Sequence, residues 1–125
     1  MRTSVASEGS SLNDIRILER INRRDIIVFT SQLSTVMATG VGLTEGLEDI
    51  ESQIRKPVMK RVIAAVRRDI ESGESLSAAL AKHPKAFNEL YVNIVKAGEA
   101  TSNMERALTD LGTQLEWQAE LNARI

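Results

Sequence analysis

A chain of 125 residues with 42% apolar and 26% charged side chains has the make-up of one folded domain, not of a disordered tail. It has no cysteine, which excludes disulfides and thiolate chemistry, and one histidine, which excludes any site needing two imidazoles. Sixteen basic against seventeen acidic residues leave a net charge of −1, and four aromatic rings make no base-stacking platform, so nucleic acid is not an expected ligand.

Residues 1–11 are small and polar, lack the apolar stretch of a signal peptide, and read as a leader or a cloning remnant. Leu12, Ile15, Leu18 and Ile21 recur every third position and predict a short extra helix at the N-terminus. After a polar break at 22–24, Asp25 is the expected cap of a helix over 25–39, stopped by Gly40. Nineteen residues, 26–44, carry no charge, close to the ~20 that span a bilayer. Hydroxyls at Thr30, Ser31, Ser34, Thr35 and Thr39 line one side, however, while Ile26, Phe29, Leu33, Val36 and Met37 stripe the other. That pattern describes a helix inside a bundle.

Leu47, Ile50 and Ile54 mark the next short helix, and Pro57 sits just inside a third whose stripe is Met59, Val62, Ile63, Val66 and Ile70. Gly73 ends it, Ser75 starts a two-turn helix that stops before Pro84, and Phe87, Leu90, Tyr91, Ile94 and Val95 stripe a fifth. Ser102 and Glu105 have capping-box spacing and open the last helix. No stretch alternates with period two. The expected fold is all-α: an antiparallel bundle of about six helices over 12–125, with the short N-terminal helix added.

In the last helix Met104, Leu108, Leu111 and Leu115 form a core seam, but Trp117, Leu121 and Ile125 follow on the other side. That second stripe is covered by the N-terminal segment or a partner, or else the helix leaves the bundle toward a membrane or another subunit. It ends without glycine or proline, as expected of a fragment of something longer.

Three ordered blocks then become recognisable. They are Phe29–Leu33 with Gly40–Leu47; Gly73–Leu80 with Pro84 and Phe87; and Lys96-Ala97-Gly98-Glu99-Ala100-Thr101-Ser102-Asn103-Met104. Together they resemble the cytoplasmic domain of the type II secretion system F family, the inner-membrane platform proteins of type II secretion and type IV pilus machines. The third block departs from the family's usual Gly-Glu-x-Ser-Gly by ending on Ser102; as an N-cap, serine there costs little. The resemblance implies two such domains in a whole protein, each followed by membrane helices, at the cytoplasmic face of the bacterial inner membrane.

It also implies partners: the assembly ATPase, other inner-membrane components and further copies of the chain. The expected function is a non-enzymatic domain that docks these parts and transmits movement mechanically, with Phe29, Leu33, Gly40, Leu47, Gly73, Leu76, Leu80, Gly98 and Glu99 defining the fold. The alternative is a helical adaptor or regulator with no membrane role. By position the resemblance points to Glu45, Glu99 and Asn103 as a weak calcium set, since hard cations take oxygen ligands. Against that, Glu99 is well placed to cap the next helix. Trp117, Leu121 and Ile125 are the expected interface of a homodimer. His83 has no partner for catalysis and reads as structural, and Lys56, Lys60, Arg61, Arg67 and Arg68 form a basic flank, either solvated or facing acidic protein or lipid headgroups.

Overall fold

In the computed structural model, which describes residues 20–123, the first helix, α1, runs Arg23–Thr39 and is capped by Asn22, not by Asp25. Both residues work at once: Asn22 Oδ1 accepts from Asp25 N at 3.0 Å, and Asp25 Oδ2 accepts from Asn22 N at 2.9 Å. This reciprocal box satisfies two orphan donors of the first turn. Lys56 Nζ then donates to Asp25 Oδ2 at 2.6 Å and to the Arg20 carbonyl at 2.9 Å, tying the start of α1 to the chain before α3. The far end of α1 stops at Gly40, whose φ of 81° only glycine holds cheaply.

Five more helices follow: α2 (Leu43–Gln53), α3 (Pro57–Glu71), α4 (Leu76–Ala81), α5 (Glu89–Ala100) and α6 (Met104–Ala123). No strand occurs among the described residues, so the fold is all-α. The leader 1–11, the stripe of Leu12, Ile15 and Leu18, and Ile125 lie outside the described residues.

The helices turn most of the apolar residues that the sequence marks into the core. Phe29 and Leu33 of α1 meet Leu47 and Ile50 of α2, Met59, Ile63 and Val66 of α3, and Leu76 and Leu80 of α4 in one core, completed by Val95 of α5 and Leu108 and Leu111 of α6. Full burial stabilises each such side chain by about 1.5–3 kcal/mol. α2 lies tight on α1 because Gly46 has no side chain; a Cβ there would collide with Val36. Arg67 of α3 binds Glu51 of α2 at 2.8 Å and Glu71 at 3.1 Å, which raises its pKa and staples the two helices.

Phe87 and Leu90 correct the expected stripe of α5. Phe87 is buried but precedes the helix, just before the cap Asn88, and packs between Phe29 (ring centroids 5.7 Å apart) and Tyr91 (5.1 Å). Leu90 is 53% exposed. Finally α6 packs chiefly along α1. Ser34 bonds Thr109 at 2.8 Å, Gly112 lies against Thr30, and Asn122 faces Arg23, so the two helices run antiparallel and close the bundle.

Candidate functional site

The second and third sequence blocks meet where α5 ends. Glu99, in the last turn of α5, turns its carboxylate onto the start of α4: Oε2 accepts from Ser77 N at 2.9 Å, and Oε1 accepts from Ser77 Oγ. Ser75, the cap of α4, accepts from Ala78 N at 3.1 Å. Two donors of one short helix are thus met by a serine of its own and a glutamate from another helix. A carboxylate in that place also complements the positive end of the helix dipole. Glu99 is therefore a cap, as its position suggested, but of α4 and not of the helix that follows it.

Gly98 makes this approach possible. A Cβ at Gly98 would stand 2.8 Å from Ala107 Cβ and 3.3 Å from Met104 Cα, tighter than packed atoms tolerate. The backbone then turns sharply: Ser102 N donates to Glu99 O at 3.4 Å and Asn103 N to Gly98 O at 2.8 Å. These two bonds are the Schellman pattern, and Ser102, at φ 55°, occupies its left-handed position. Ser102 consequently terminates α5 and does not cap α6; Asn103, whose carbonyl accepts from Ala107 N at 3.1 Å, holds the cap position of α6. The capping box expected from Ser102 and Glu105 is replaced by this turn.

Of the expected calcium set, Glu99 is half-buried on Ser77, while Glu45 is exposed in the first turn of α2 and Asn103 is exposed at the start of α6. No group of three or more histidine, aspartate or glutamate side chains among the described residues is placed to hold a metal. The expected interface residues Trp117 and Leu121 are 62% and 40% exposed. Within the basic flank, Arg67 and Lys56 are engaged by Glu51, Glu71 and Asp25, whereas Lys60, Arg61 and Arg68 face solvent. His83 carries the turn before Phe87, its carbonyl accepting from Ala86 N at 3.0 Å and Phe87 N at 2.9 Å. Sequence reasoning missed Ser77 as the partner of Glu99, and missed a groove beside α1 lined by Arg24, Val28 and Arg55. No local spacing signals either one, because both are made by residues from different helices.

No helix among the described residues is long and apolar enough to cross a membrane. The chain is 36% identical over 102 residues to the type IV pilus assembly protein PilC of Thermus thermophilus, covering 82% of this chain and 25% of that protein. It is 34% identical over 107 residues to PilC of Pseudomonas aeruginosa, covering 86% of the chain and 29% of the relative. With the type II secretion system protein F of Vibrio cholerae it shares 27% identity over 125 residues, 100% of the chain and 31% of the relative. The chain thus spans between a quarter and a third of the length of these curated relatives. Residues 29–125 match the family described as type II secretion system (T2SS), protein F, and with the third block folded into the α5–α6 turn, the chain belongs to that family.

Proposed function

We propose that the chain is the non-catalytic cytoplasmic domain of an inner-membrane platform protein that serves type IV pilus assembly or type II secretion. The observation that carries this reading is the family match over 29–125, joined to relatives named for pilus assembly and for type II secretion. The domain docks the assembly ATPase and other inner-membrane components, and associates with further copies of itself through Trp117 and Leu121, at the exposed end of α6, together with Ile125, which follows them in the chain. Its mechanism is mechanical. A helical bundle with cross-helix caps such as Glu99 on Ser77 resists bending, so displacement at one surface is passed to another without chemistry in between.

The experiment is site-specific photo-crosslinking in cells, with the crosslinker at exposed Lys60, Arg61 or Arg68 of the full-length protein. The expected adducts contain the assembly ATPase or an inner-membrane assembly component. Adducts with cytosolic proteins alone, from a protein that fractionates away from the membrane, overturn the platform reading in favour of an adaptor.

A further inference from the structure

Between α1, the α2–α3 connection and the start of α3 the surface opens into a groove of about 310 Å3. Phe29 and Met59 reach its floor from the core, Ile54 and the 44% exposed Val28 line its side, and Arg24 and Arg55 stand at its rim. Lys56, beside them, is neutralised by Asp25, but among the described residues no carboxylate pairs with Arg24 or Arg55. An apolar slot with a basic rim accepts a large apolar side chain that has an acid next to it.

The end of α6 presents that combination. Trp117 and Leu121 project one turn apart, and Glu116, adjacent to Trp117, is exposed. Since α6 runs antiparallel to α1 and Asn122 comes level with Arg23, this end of α6 lies at the same end of the bundle as Arg24. A projection and a complementary slot at one end of a molecule can engage twice about a two-fold axis, the closed arrangement of an isologous dimer.

We infer that the groove at Arg24, Val28 and Arg55 seats the Trp117 end of α6 from a second copy of this chain, reciprocally. The indole enters over Val28 with arginine guanidinium against its face, a pairing strengthened by desolvation and enriched at interface centres. Glu116 then meets the rim cations. This deepens the self-association part of the proposed function and names its surfaces; docking of the ATPase is read by cross-linking and stands or falls separately.

The test is sedimentation equilibrium of the full 125-residue chain and three charge variants: Arg24→Glu with Arg55→Glu, Glu116→Arg, and all three together. The single-side variants are expected to weaken association at least about tenfold, and the triple variant to recover most of it. Glutamate near the start of α1 suits the helix dipole, so the fold should survive, and circular dichroism checks this. As a second measurement on the unaltered chain, fluorescence of Trp117, the only tryptophan, should shift to the blue over the concentration range in which the mass doubles. A chain that stays monomeric, whether or not it floats with phosphatidylglycerol vesicles, overturns the inference. So does a dimer that ignores the charge reversals, a triple variant that fails to recover, or emission that stays constant as the mass rises.

Discussion

Ser102 holds a left-handed backbone that glycine would hold with less strain, at φ 55° in the turn that ends α5. Ser102→Gly is therefore expected to stabilise the chain by about 0.5–1 kcal/mol, the left-handed penalty of an L-residue less the extra freedom of glycine when unfolded. Urea unfolding measures it, and a loss of stability would remove the Schellman account. Glu99→Ala acts in the opposite direction by about 1–2 kcal/mol, the lower part of the range for charged hydrogen bonds because the carboxylate is half exposed. If Glu99 is a cap and not a calcium ligand, melting curves in calcium and in EDTA should superimpose. A calcium-dependent rise in Tm that disappears in Glu45→Gln and Glu99→Gln would restore the metal reading. The sequence marked Gly98 and Glu99 as structural through their block, but not what they touch. Ser77 lies 22 residues away on another helix, and only the tertiary fold brings it there.

At the scale of elements, the helical periods were legible because burial in this bundle follows helix faces. The ends were harder. Asn22 and Asp25 are both good caps, and in a capping box both are used, so residue preference alone does not say which one leads. Phe87 keeps helical spacing to Tyr91 without being helical, because packing on that ring needs only proximity. Tyr91 also clasps α5 to α1. Thr30 gives its single hydroxyl proton to the Ile26 carbonyl at 2.7 Å, so the Tyr91 hydroxyl donates to Thr30 Oγ1 at 2.6 Å. Burial pushes the Tyr91 phenol up to about 12. The unfolded phenol ionises near 10, so the folded state alone keeps its proton between about 10 and 12. This contribution is intact below pH ~10 and is lost as pH rises toward 12. Stability should fall over that window, and Tyr91→Phe should remove part of the fall; Lys82, also raised, by Glu74 and Asp69, accounts for some of the remainder. As the chain has one tyrosine, its tyrosinate absorbance reports Tyr91 directly, and ionisation at an ordinary pH would contradict the clasp.

For the molecule as a whole, the main closure joins its first and last described helices, α1 and α6. Leu108 and Leu111 lie in the first half of α6, and Leu115 packs partly on the core. Beyond it, residues 116–122 are exposed except for a half-buried Ala119. The helix therefore has two parts, one that buries leucines in the core and one that runs on beside the start of α1, where Asn122 faces Arg23, with Trp117 and Leu121 turned to solvent. Ending the chain after Asn103 should abolish cooperative unfolding, because the α1 face and Tyr91 lose their cover and the burial of two leucines goes with it. Ending it after Leu115 should keep a cooperative transition with a small drop in Tm and lose only the ellipticity of the missing turns. Amide exchange on the intact chain should agree, fast in 116–122 and slow around Leu108 and Leu111. The shortened chain also lacks Trp117 and Leu121, so it should sediment as a monomer at concentrations where the full chain associates. If ending at Leu115 unfolds the bundle, the end of α6 belongs to the core, and the projection on which the two-fold arrangement depends does not exist.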